Sequence, residues 1–101
     1  MDSYEISPEA LDDLVNIQEF IEADNSAAAE RLIDEFFRAF EHLQKWPRSG
    51  HSRVDLTSKP VLFWPVGSYV VVYRLREADS VLQIVAVLVG ARDVPAILER
   101  R

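Results

Sequence analysis

The apolar residues of this chain change their period once, at Pro47. Before it, Ala10, Leu14, Ile17 and Ile21 recur at spacings of four, three and four, and Ala29, Ile33, Phe36, Phe40 and Leu43 do the same further on. Each set stacks on one face of an α-helix. After Gly50 the runs 61–66, 69–76 and 81–89 are rich in Val, Ile, Leu, Tyr, Phe and Trp, which fit a pleated, half-buried strand. A chain that switches in this way places a helix hairpin on an antiparallel sheet, an α+β arrangement.

The boundaries are legible as well. Tyr4-Glu5-Ile6 reads as a short extended segment, and Ser7-Pro8-Glu9 offers a cap followed by a proline in the first turn. Asp24-Asn25-Ser26 breaks the first helix and caps the second, which runs from Ala27 to about Trp46, with Leu32 and Phe37 flanking its core face. Pro47-Arg48-Ser49-Gly50 ends it, with Gly50 expected to take a left-handed conformation. Gly67-Ser68 predicts a two-residue hairpin and 77–80 a second short connection, so the three strands form a meander. Pro65 cannot donate to a ladder, which ends the first of these strands at Trp64 or puts it at a sheet edge. Residues 94–101 read as a short final helix capped by Asp93.

At 101 residues the chain has room for one domain, 1–101. It has no Cys, which excludes a disulfide scaffold and thiol chemistry, and its acidic start lacks the basic region of a signal peptide. No run approaches the ~20 apolar residues of a bilayer span. The expected compartment is therefore the cytoplasm, without a membrane. The net charge is −6, divided into −9 over residues 1–45 (twelve acids, three bases) and +3 over residues 46–101 (five acids, eight bases). Phosphate repels such a chain on average, so direct nucleic-acid binding is not expected.

Few residues suggest chemistry. His42 and His51 stand nine apart with no ligand cluster near them, so neither a metal nor another cofactor is expected. The serines show no Gly-x-Ser-x-Gly elbow, and Gly50, Gly67 and Gly90 form no phosphate-cradling run. Asp12 and Asp13 read as solvated residues near the start of a helix. The aromatic set Phe36, Phe37, Phe40, Phe63, Trp64, Tyr69 and Tyr73 is mostly core in so short a chain. The bases are mainly arginines, and Arg53, Arg74, Arg76 and Arg92 belong to or abut the sheet, where a planar fork can take a carboxylate or a phosphate.

The wording of the chain then becomes specific. Ala27-Ala28-Ala29-Glu30-Arg31-Leu32-Ile33, Leu43 with Pro47-x-x-Gly50-x-x-Arg53-x-Asp55-Leu56, Gly67-Ser68-Tyr69-Val70-Val71-Val72-Tyr73-Arg74, and Gly90-Ala91-Arg92-Asp93 with Ile97-Leu98 occur in this order. Together they resemble the RelE/ParE toxin superfamily, and the ParE branch most. The resemblance implies the toxin of a type II toxin–antitoxin pair, neutralised by a cognate antitoxin. Ribonucleases of the superfamily use basic residues on the middle strands, where this chain has Val61, Phe63 and Val70, with Leu98 near the end; Arg92 alone keeps a basic group.

One arginine cannot serve as base, acid and phosphate support together. The resemblance therefore implies inhibition of DNA gyrase by protein contact, with no catalytic residues. The alternatives are a ribosome-dependent mRNA endonuclease and a toxin-derived, non-toxic binding or regulatory protein. Val89 stands where many relatives carry a His before the Gly-Ala-Arg-Asp run. Arg92, Arg74 and Arg53 are the functional candidates. Leu11, Val15, Phe20, Phe37 and Arg76 are the expected antitoxin contacts, the first four being more apolar than a solvated helix pair requires.

Overall fold

The computed structural model describes residues 4–90 and 93–101. Strand β1 (Tyr4–Ile6) leads into helices α1 (Pro8–Glu22) and α2 (Ser26–Lys45), a 3-10 turn (Pro47–Ser49), strands β2 (Leu62–Val66), β3 (Tyr69–Leu75) and β4 (Leu82–Val89), and helix α3 (Val94–Glu99). Both long helices start on a side-chain cap: Ser7 Oγ accepts the N–H of Ala10, and Asn25 Oδ1 that of Ala28. Each satisfies one of the donors that a helix start leaves without an internal partner.

The strands lie in one sheet in the order β1-β4-β3-β2. β2, β3 and β4 form the expected antiparallel meander, and β1 adds to β4 in parallel, with Tyr4 opposite Leu82 and Ile6 opposite Ile84. Gly67 makes the β2–β3 turn at φ +59°, a left-handed value that costs glycine little. β2 is an edge strand and continues through Pro65 to Val66. Its outer side is protected twice, because His51 exchanges both backbone bonds with Phe63 and Pro65 has no N–H to offer.

The sheet carries a core on each face. Ala10, Leu14 and Ile17 of α1 and Phe36, Phe40 and Leu43 of α2 pack with Val71, Tyr73, Leu82, Ile84 and Val87. Val61, Phe63, Val72, Ala86 and Leu88 face the other way and are covered by Val94 and Leu98 of α3. Strict alternation along β4 would not produce this division. A bulge opposite Val72/Tyr73 pairs Ala86 with Val72 and Ile84 with Tyr73, leaving Val85 without a partner on β3. Val85 and Ala86 consequently both belong to the α3 side, and Val87 returns to the hairpin side.

Three local expectations are corrected. Gly50 is not left-handed: its φ is −73°, and the place requires glycine for lack of space, since a Cβ would sit 2.5 Å from Tyr73 Oη. Asp93 lies at the α3 start with φ −107° and makes no side-chain cap bond, because its backbone leaves the extended region from which a cap side chain reaches forward. Asp13 is not solvated, for reasons that belong to the site.

Candidate functional site

Beyond β1, the outer edge of β4 is left to side chains. Asp13 Oδ2 accepts the N–H of Val87 at 2.9 Å, while Ser7 Oγ and Arg101 both donate to the carbonyl of Val85, at 3.3 and 3.1 Å. Arg101 then closes a fork on Asp13 (2.8 and 3.1 Å), and the two side chains are each only 16% exposed. This network satisfies the backbone groups that the bulge and the short β1 strand leave open. The Asp13 hydrogen bond raises the Arg101 pKa; burial opposes the rise, and Asp13, Glu9 and Asp12 add an electrostatic part. Helical geometry turns Asp12 and Asp13 about 100° apart, with Asp13 the nearer to the core stripe. That offset was the available sequence signal for its burial.

Next to this network lies a cleft of about 320 Å³, lined by the α1 start (Ser7, Pro8, Glu9), Lys59, Arg74, Gln83 and the α3 residue Leu98, with Arg101 at its side. Arg74 donates Nε to Gln83 Oε1 at 2.8 Å, and Lys59 Nζ donates to the Leu98 carbonyl. The other sequence candidates stand elsewhere. Arg53 forks onto Asp55 at 2.8 and 3.0 Å in the loop before β2; the hydrogen bond raises the Arg53 pKa and lowers that of Asp55. Arg76 is shared by Asp79 and Glu5 through four contacts of 2.7–3.1 Å, tying β1 to the β3–β4 turn. Arg92 lies outside the described residues.

The four apolar candidates do not share one patch. Leu11 and Val15 lie one turn apart on α1, whereas Phe20 is about 180° round the helix from Leu11. Phe37 packs edge-on against Phe40 of α2, ring centres 5.6 Å apart. Phe20, 78% exposed, and Val89, 67% exposed, belong instead to a hollow of about 400 Å³ completed by Asn16, Ile17 and Tyr69. Val61, Phe63, Val70 and Leu98, named from sequence as the apolar substitutes for basic residues, come together in the packed α3 face. His42 is exposed and stacks on Trp64 at 5.0 Å, and His51 is exposed. Among the described residues no group of three or more His, Cys, Asp or Glu side chains could hold a metal ion, and no helix is long and apolar enough to cross a membrane.

The sequence and the fold have counterparts among known proteins. A family model described as the ParE toxin of type II toxin–antitoxin system, parDE, matches residues 4–94. The chain is similar in fold to a solved structure described as the chromosomal ParDE toxin–antitoxin system from P. aeruginosa, with a TM-score of 0.74 at 16% identity, covering 89% of this chain and 97% of that one. No curated protein sequence matches.

Proposed function

Because the chain belongs to the ParE toxin family of type II toxin–antitoxin systems, we propose that it acts as the toxin of such a pair, inhibiting DNA gyrase through protein contact and neutralised by a cognate antitoxin in the cytoplasm. One observation carries the choice of target. The positions where ribonucleases of the superfamily bring basic residues to RNA are occupied by Val61 and Phe63, buried in the cluster that Val94 and Leu98 close, and by Val70, half-buried at its edge. Side chains of this kind offer a ribose neither a proton donor nor a proton acceptor, and the cations nearest to Val61 and Leu98, Lys59 and Arg74, cannot act as a general base near neutral pH. Net charge −6 acts in the same direction, since affinity for RNA grows with the phosphates that a protein neutralises. Protein partners can be engaged through shape and apolar contact, for which the hollow around Phe20 and Val89 is suited.

In this reading Arg74, Arg53 and Arg92 are the candidate functional cations, and Leu11, Val15, Phe20, Phe37 and Arg76 the candidate antitoxin contacts. Arg53 and Arg76 already hold acids of their own chain, so Arg74 is the stronger candidate among the described arginines of the sheet region. The test adds purified protein to a gyrase supercoiling assay and, separately, to a translating extract with a mapped mRNA. Loss of supercoiling with intact mRNA is the expected result. Codon-specific cleavage with untouched supercoiling would replace this reading by the endonuclease, and silence in both assays would leave a toxin fold kept for its partner.

A further inference from the structure

Three basic side chains line the cleft at the start of α1, and they are not equivalent. Arg101 has its fork on Asp13, with Glu9 and Asp12 adding to the field that holds its charge. Among the described residues Arg74 and Lys59 make no salt bridge to an acid of their own chain, although Glu9 shares the cleft. Arg74 has five N–H donors and spends Nε–H on Gln83, so the two outer nitrogens keep theirs. Lys59 has three and spends one on the Leu98 carbonyl, a bond that also fixes its ammonium over the cleft. The positive end of the α1 dipole adds to the same side. With Arg101 paired to Asp13, two cations outside any salt bridge and one carboxylate, Glu9, remain around about 320 Å³, an excess of positive charge that suits a negatively charged group.

The kind of anion follows from the rest of the lining. A phosphate site at a helix start needs several free backbone N–H groups. Here Pro8 has none, Ser7 gives its own to Ile84, Ala10 gives its to Ser7 Oγ and Leu11 to the Ser7 carbonyl. Glu9 in the same lining repels any anion, and a dianion about twice as strongly as a single carboxylate. A single carboxylate matches two cations and the planar Arg74 fork, and Pro8, Pro60, Val61, Val85 and Leu98 supply apolar walls for the stem that carries it. The volume is at the lower end of the ~300–1,000 Å³ of ligand pockets, a size for one or two side chains and not for a run of nucleotides.

We propose that this cleft binds a Glu or Asp side chain, with an adjacent apolar residue, from an acidic segment of a partner protein, and that Arg74 and Lys59 are its contacts. The inference rests on the toxin–antitoxin reading for one thing only, that such a partner exists. It also separates Arg74 from Arg53 and Arg76, whose forks are occupied within the chain.

The probe is the peptide Ac-Leu-Glu-Leu-NH2, titrated into the full-length protein and followed by 15N NMR at the Arg74 Nε–H, the Gln83 side-chain amide and the backbone amides of Ser7 and Glu9. Ac-Leu-Gln-Leu-NH2 and inorganic phosphate are titrated at the same ionic strength. Saturable shifts at these groups with the Glu peptide are expected, together with binding about tenfold weaker in Arg74→Gln, the loss of one charge-assisted fork. Lys59→Gln should weaken it less, and Arg48→Gln, outside the cleft, not at all. If Arg74→Gln disturbs the fold, Arg74→Lys keeps the charge and loses the fork, and should retain part of the binding.

No saturable shift, or an equal response to the Gln peptide, would overturn the proposal. Stronger binding of phosphate at the same groups would make the cleft a phosphate site instead. The titration uses the free chain and no gyrase. A failed titration therefore leaves the supercoiling assay standing, and a silent supercoiling assay leaves the cleft standing.

Discussion

The hydroxyl of Tyr73, fully buried on the hairpin side of β3, accepts the N–H of Gly50 at 2.8 Å and donates to the Pro47 carbonyl at 2.6 Å. One side chain from the centre of the sheet thereby fastens the turn through which the chain passes from helices to strands. The approach is possible because residue 50 has no side chain. A Cβ there would stand 2.5 Å from the hydroxyl, 2.7 Å from Tyr73 Cε1 and 3.0 Å from the Phe63 carbonyl. Gly50→Ala should therefore cost about 1–3 kcal/mol, the range of overpacked sites. Adding Tyr73→Phe should not restore stability, since the ring carbon and the Phe63 backbone remain in the way. Denaturant unfolding of both variants checks this, and a wild-type midpoint for Gly50→Ala would refute it.

Burial pushes the Tyr73 hydroxyl above the usual tyrosine range, with the Gly50 N–H pulling the other way. A folded value raised above the unfolded one means stability that is complete below about pH 10 and lost as pH climbs through the folded value. Alkaline titration should show Tyr73 resisting ionisation until the protein unfolds. Tyr73→Phe should cost about 1–3 kcal/mol at neutral pH by leaving the Gly50 N–H and Pro47 carbonyl unpaired, and should make the remaining stability less dependent on pH above 10. An unchanged alkaline profile in that variant would contradict the assignment.

The helices and the meander are readable in the chain because their signals are local: a period, a cap, a turn residue. What the residues hide is long-range. β1 is three residues long, and nothing in Tyr4-Glu5-Ile6 tells it to lie parallel to residues 82–84. The run Val85-Ala86-Val87-Leu88-Val89 is apolar throughout, so its alternation carries no mark of the bulge that redirects Val87 to the hairpin side. Asp13 and Arg101 are 88 positions apart, and only the packing of α1 across the open edge of β4 brings them together. The candidate arginines were visible, but which of them has a free fork depends on Asp55, Asp79 and Glu5 being within reach.

Ser7 and Asp93 precede helices in the same way in the sequence and differ in the structure. Ser7 caps Ala10 and also donates to Val85, whereas Asp93 makes no cap bond. Ser7→Ala should lower stability by about 1 kcal/mol or somewhat more, and Asp93→Ala should stay within about 0.5 kcal/mol of wild type. Equal losses in thermal unfolding would show that Asp93 caps α3 after all.

Removing Asp13 breaks three hydrogen bonds to two partners: it leaves Arg101 without its fork and the Val87 N–H without an acceptor. The pair is neither fully exposed, where such bridges are worth ~0–1 kcal/mol, nor fully buried, where breaking one costs ~3–5 kcal/mol. Asp13→Ala should fall between, at about 1–3 kcal/mol. A double-mutant cycle with Arg101→Ala should give a coupling of at least roughly 0.5 kcal/mol, as groups in direct contact do. Strict additivity would show that the two residues act independently.

The α3 face supplies the sharpest contrast between an interior and a reaction site. Phe63 is 4% exposed and belongs to the cluster closed by Val94 and Leu98, while Val70 is half-buried at the edge of the same cluster. If that face were a vacant ribonuclease site, a basic residue placed there should be tolerated and should move the protein toward RNA cleavage. If it is core, Phe63→Lys loses a packed ring and strands an ammonium, at a cost of about 3–5 kcal/mol, a large part of the ~5–15 kcal/mol that holds a domain together. Val70→Arg should be milder, because its long stem can carry the charge to water. The expected result is therefore a steep fall in Tm for Phe63→Lys, a smaller one for Val70→Arg, and no mRNA cleavage by either in a translating extract. A Phe63→Lys protein that melts like wild type and cuts mRNA would return the endonuclease to first place.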